Sequence, residues 1–158
     1  MSEDDVDFAV VAYREEGAWQ VAPLPLRVGL DIDALVDAVR PWPSDTGALG
    51  FVSVDEDFFV LVRVLGQHVR ALLSDSTAAG VWPIATGVLD LLDLPEPEDD
   101  EPQPIGDMDI VTDLGVPSID LAVLCEEDEL YPDEILSDIA RRIGFGEQFE
   151  AAVESASV

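Results

Sequence analysis

ALGFVSV (48–54), DED (55–57), FFVLVRVL (58–65), GQ (66–67) and HVRALLS (68–74) decide the fold of this chain. Three apolar, β-favouring runs are separated by two short polar turns. Runs of this length bounded by Asp, Glu and Gly read as strands. The middle run, Phe58 to Leu65, is nearly unbroken in its hydrophobicity, so it is expected to be central and buried on both faces. Consecutive strands joined by such short turns pair antiparallel.

Upstream, Val6 to Tyr13 and Ala18 to Leu24 flank the turn Glu15-Glu16-Gly17 and form a hairpin closed by Pro23 and Pro25. Asp31 can cap a helix to Val39, with Ile32, Leu35, Val36 and Val39 at helical spacing and Pro41 and Pro43 ending it. Downstream, a helix fits Trp82 to Leu92, with Pro83 tolerated in its first turn. Residues 1–93 therefore read as an α+β domain, a five-stranded antiparallel sheet with packed helices in the order β-β-α-β-β-β-α. That order is similar to longin and roadblock-type folds, small scaffolds used in protein–protein contacts, an analogy from topology alone.

Residues 94–104, LPEPEDDEPQP, form an acidic Pro-rich linker, too polar and too rich in proline to build a packed element. Residues 105–154 then read as a helical region. Asp107 to Leu114 is a short helix ended by Gly115. Ser118 caps the next, with Ile119, Leu121, Ala122 and Leu124 inward and Cys125 beside them. Pro132 opens a third, with Ile135, Leu136, Ile139, Ala140 and Ile143 as its apolar stripe. Phe145 to Val153 is the last.

The charge is the unusual feature: 35 Asp plus Glu against seven Arg and no Lys, net -28 over 158 residues. Such a chain repels nucleic-acid phosphates and anionic membranes, and it attracts cations and basic proteins. Solubility, adaptation to high salt and docking on a basic protein are competing readings of the acidity. Residues 105–158 are the most acidic part per residue outside the linker and the preferred docking surface. Glu126, Glu127, Asp128, Glu129, Asp133 and Glu134 are the candidate partner-binding residues. The N-terminus MSEDDVDF lacks a signal peptide's basic start, and no apolar run is long enough to span a bilayer, so a cytoplasmic location is expected.

No catalytic, cofactor or metal site can be read. Cys125 is the sole cysteine, which excludes an intrachain disulfide and multi-cysteine metal sites, and it reads as a small buried hydrophobe. His68 is the sole histidine; a surface or turn role is favoured over a base or ligand. His68-Val69-Arg70 lacks the His-x-Glu of a zinc deaminase, and no Cys pair completes one. Gly47-Ala-Leu-Gly50 lacks the Lys and spacing of a phosphate loop. The runs 55–57 and 126–129 do not match the EF-hand pattern and read as solvated turns. Trp19, Trp42 and Trp82 either anchor a partner or finish the core, the latter preferred.

The strings DVDFAVVAYREEGAWQVAPLP (5–25), GALGFVSVDEDFFVLVRV (47–64), LLDLPEPEDDEPQPIGDMDI (91–110) and LYPDEILSDIARRIGFGEQFEAAV (130–153) resemble the actinobacterial family of tRNA adenosine deaminase-associated proteins over nearly the whole chain. The resemblance implies a relationship to the wobble-adenosine editing enzyme, and it carries over no catalytic or binding residues. An accessory or regulatory protein that is not itself an enzyme, covering the deaminase's basic RNA-binding surface, is the function expected. A general interaction scaffold that forms a homodimer, and an acidic nucleic-acid mimic that blocks a basic protein, are the alternatives.

Overall fold

The computed structural model describes residues 3–97, 101–127 and 129–156. Strands β1 (Val6–Glu15), β2 (Ala18–Pro23), β3 (Ala48–Val54), β4 (Phe58–Leu65), β5 (His68–Leu73) and β6 (Ile105–Gly106) form one antiparallel sheet in the order β2-β1-β3-β4-β5-β6. The α-helices are α1 (Ile32–Val39), α2 (Pro83–Leu91), α3 (Ser118–Glu126), α4 (Pro132–Ile143) and α5 (Gly146–Ala156). The α+β class and the antiparallel sheet are as expected, but the sheet has six strands, not five. The added strand is two residues long, Ile105 opposite Leu73 and Gly106 opposite Leu72, too short for any periodicity to announce it. Gly106 has φ +123°, and a Cβ there would lie 2.6 Å from the Ala71 carbonyl oxygen, so glycine permits the close approach.

Alternation along β4 creates two cores. Phe58, Val60, Val62 and Val64 face a layer containing α1 and α2. Phe59 and Leu61 face the opposite layer, containing α3, α4 and α5. This is the period-2 pattern of a strand covered on both sides. β1 changes parity at a register shift between Val6 and Phe8, so Val6, Ala9 and Val11 share the first layer while Phe8 and Val10 join the second. Asp7, at the shift, accepts hydrogen bonds from Ser53 Oγ (2.9 Å) and the Glu56 N–H (2.8 Å). The second layer is centred on aromatic rings: Phe149 meets Phe8 at 5.8 Å and Phe51 at 5.5 Å, both edge-on. Each of these fully buried side chains contributes about 1.5–3 kcal/mol by transfer from water.

Residues on both sides of the acidic Pro-rich stretch thus share one sheet. Residues 98–100 of that stretch lie outside the described residues. Beyond them it lies against the chain, with the Ser76 N–H donating to the Gln103 carbonyl at 2.8 Å.

Two local expectations are corrected. Residues 107–114 are turns ending in a 3-10 segment, Thr112–Leu114, and not an α-helix. Asp107 accepts from the Asp109 N–H at 3.0 Å and from Arg70 Nε, and a short acid that bonds nearby backbone competes with helix formation. α3 does begin at Ser118, but Pro117 is its N-cap and no side chain caps it. Its Ile119 points outward, 76% exposed, because Leu121 and Leu124 occupy the buried side.

Candidate functional site

Of the six acidic candidates, Glu126 ends α3, Glu127 and Glu129 lie in the connection to α4, and Asp133 and Glu134 lie in the first turn of α4. α3 ends at Glu126, Glu127 is its C-cap in extended backbone, and the Leu130 N–H donates to the Glu127 carbonyl at 3.3 Å. Pro132 then starts α4, where its missing N–H costs nothing. Asp133 and Glu134 occupy the first turn, at the positive end of the helix dipole. Glu134 is also structural: its carboxylate accepts the Tyr131 N–H at 3.2 Å, closing the helix start. Glu126, Glu127, Glu129, Asp133 and Glu134 are all exposed, and Asp128 lies outside the described residues.

Four of these acids are divided between two neighbouring grooves that share Leu130. The first, of about 460 Å³, is bordered by Glu126 and Glu127 of the turn and by Asp57, Asp75 and Glu101 from the sheet side. Phe59, Cys125, Pro132 and Ile135 supply its apolar surface. The second, of about 490 Å³, runs between α4 and α5, with Asp133, Glu134, Glu150 and Glu154 on its borders and Phe149 and Val153 in its lining. Glu129 lines neither. No arginine lines the first groove, whereas Arg141 reaches the second and is held at 2.6 Å by Asp138.

Local electrostatics differ accordingly. Burial pushes the Asp57 carboxyl above its ordinary pKa, and the charges of Asp75 and Asp55 push it the same way. Burial would also raise Asp138, but hydrogen bonds from Arg141 and Arg142 outweigh it and hold the carboxyl below its usual range. The Cys125 thiol is pushed up to about 12, by burial first and the Glu126 charge second. A thiol in that state is a poor nucleophile.

A feature that sequence reasoning missed lies on α3, the helix whose end borders the first groove. Ile119 and Val123, four apart on α3, are 76% and 57% exposed. Asp120, Glu126 and Glu127 flank them, and Asp120 is 3.6 Å from Arg142. Apolar residues at 119, 121, 123 and 124 surround the whole helix, which is the signal that one side had to face out. The tryptophans are half-buried and finish the cores: Trp19 against Phe145 at 4.9 Å, Trp42 against Tyr13 at 4.9 Å, Trp82 against Phe58 at 5.9 Å. His68 is exposed at the start of β5. Among the described residues no group of three or more His, Cys, Asp or Glu side chains is arranged to hold a metal ion. Among them, too, no helix is long and apolar enough to cross a membrane.

Fold and surface together define an acidic α+β protein whose distinctive chemistry is a set of carboxylate-bordered, apolar-floored grooves. Comparison with known proteins makes this specific: the chain belongs to the Rv3753c-like tRNA adenosine deaminase-associated protein family, whose model matches residues 7–146. It is 39% identical over 151 residues to Protein Rv3753c of Mycobacterium tuberculosis (strain ATCC 25618 / H37Rv), covering 93% of this chain and 87% of that protein. No solved structure matches. The family is described as deaminase-associated, which distinguishes it from the deaminase itself.

Proposed function

We propose that this chain is a non-enzymatic accessory protein that docks through its acidic C-terminal surface on a basic partner, a tRNA adenosine deaminase. The observation that carries the reading is the first groove, where five carboxylates border an apolar floor and no arginine of the chain answers them. Burial first, and the charges of Asp75 and Asp55 second, push the Asp57 carboxyl up at the edge of this groove. A partner's Arg or Lys entering there relieves the repulsion, while its aliphatic stem covers the half-buried Cys125 and Leu130. An enzyme that handles tRNA must present cations to phosphate, so it offers the complementary surface. A cytoplasmic location follows from the proposed partner.

Purified chain and deaminase, mixed at low ionic strength, are expected to co-elute, and the complex to weaken steeply as salt rises. The quadruple substitution Glu126→Gln, Glu127→Gln, Asp133→Asn and Glu134→Gln is expected to weaken it at least tenfold, with Gln retaining the cap at residue 134. Absence of any salt-sensitive complex, with deamination unchanged by the chain, overturns the proposal.

A further inference from the structure

A third groove lies on the other layer of the sheet, away from the turn between α3 and α4. It has a volume of about 610 Å³ and runs along α2, between that helix and the start of α1. Its apolar surface is contributed by Val81, Trp82 and Leu91, with Val81 71% exposed and Leu91 37%. Its rim is acidic: Asp31 and Asp33 at the start of α1, Asp90 near the end of α2. No basic residue lines it. The polar groups beneath are already paired, since Thr86 Oγ1 accepts the Gly80 N–H at 2.9 Å and donates to the Trp82 carbonyl at 3.3 Å. Recognition there must therefore use the apolar strip and the three carboxylates.

We propose that this groove is a second docking site, taking a positively charged amphipathic helix from a partner protein. Nine residues of α2 span ~13 Å, the length of two to three helical turns. A helix laid alongside sets apolar residues on Val81, Trp82 and Leu91 and sends Arg or Lys to the aspartates on either side. A half-buried tryptophan packed on Phe58 is the rigid aromatic anchor such interfaces favour. A second copy of this chain is disfavoured as occupant, because two bodies of net charge -28 repel. The site is independent of the C-terminal surface, so one chain would hold two basic segments on opposite layers.

The test is an NMR titration of the ¹⁵N-labelled full chain with a synthetic Leu/Arg amphipathic peptide of about four turns. A peptide of identical composition, shuffled to abolish the apolar face, is the control. The three indole N–H signals report separately, because Trp19 sits in one layer and Trp42 and Trp82 in the other. Support is a saturable shift of the Trp82 indole and of the Val81 and Leu91 amides, with the shuffled peptide roughly tenfold weaker. The exposed substitutions Val81→Ser and Leu91→Ser together should weaken the ordered peptide by roughly the same factor, the spectrum itself reporting an intact fold. Equal shifts with both peptides, shifts confined to Trp19 and α3, no shift at all, or concentration-dependent shifts without peptide (a second copy in the groove) each overturn it. Deaminase co-elution tests the C-terminal surface separately, so either site can fail alone.

Discussion

Arg63 of β4 grips Asp113 with both ends of its guanidinium, Nη1 to Oδ1 at 2.6 Å and Nη2 to Oδ2 at 2.9 Å. Its remaining donors go to the Thr46 carbonyl, at 2.9 and 2.6 Å, and to the Ile110 carbonyl at 2.8 Å. All five N–H groups of a buried arginine are thus used, which is the condition for burying one without large cost. The bonds tie the middle of the sheet to residues 110–113, and Arg70 on the adjacent strand adds ties to Asp107 and the Asp109 carbonyl.

Removing that arginine is expected to destabilise the fold by about 3 kcal/mol, because Arg63→Met takes the donors from the buried Ile110 carbonyl and the half-buried Thr46 carbonyl. Arg63→Lys should recover little, since a point charge cannot reproduce the fork. Asp113→Asn should cost less, its side chain being 57% exposed and the backbone bonds surviving. Urea unfolding of the three variants checks the order; equal losses for Met and Asn would contradict it.

Two kinds of carboxylate give opposite pH responses. The side-chain hydrogen bond from Arg63 holds Asp113 below the ordinary value of 3.8, so its stabilisation is present above that value and is lost as pH falls through the lower folded pKa. Asp57 is raised, so its charge opposes folding at neutral pH, and the penalty disappears as pH falls through the raised value towards 3.8. Asp57→Asn is therefore expected to raise Tm at pH 7 and to leave it unchanged below about pH 3.5. Thermal unfolding across this range reads the crossover.

Gly50 in β3 has no room for a methyl group: a Cβ would stand 2.7 Å from Val39 Cγ2 and 2.9 Å from Val62 Cγ2. Gly50→Ala is expected to cost about 1–3 kcal/mol by pushing α1 off the sheet. Gly17→Ala meets nothing within 4 Å but sits at φ +81°, so its cost is about 1 kcal/mol, from backbone strain alone. Hydrogen exchange should separate them, with α1 amides opening in the first variant only.

The thiol of Cys125 is expected to alkylate more than about a hundredfold slower than free cysteine at pH 8. Because burial dominates its shift, Glu126→Gln should change that rate little, whereas denaturation should restore it. Iodoacetamide kinetics on native and unfolded protein decide the point.

Much of this architecture is legible in the residues. Phe58 to Val64 announces a strand needing cover on both faces, and Glu15-Glu16-Gly17 makes its turn with Glu16 at φ 54° and Gly17 at φ 81°. Asp31 caps α1 as its position suggests, accepting the Asp33 N–H at 3.0 Å. The elements that hide are those whose state depends on distant partners. Ile105-Gly106 is a strand only because β5 lies beside it. Residues 107–113 fold around Arg63 and Arg70, between 37 and 50 positions away in sequence. The acids of the 126–134 turn were visible as charge, but their division between two grooves depends on how α4 and α5 cross the sheet. Asp57, Asp75 and Glu101 join Glu126 and Glu127 only in three dimensions.

The two-sided burial of β4 has a bearing on synthesis. Phe8, Phe51, Phe59 and Leu61 are covered by α3, α4 and α5, all of which leave the ribosome after the first five strands. Until then a nascent chain carries a wet aromatic sheet face, the kind of surface that recruits chaperones or aggregates. The residues already made, 1–93, carry 16 acids against five arginines, and that negative charge keeps such intermediates apart by mutual repulsion.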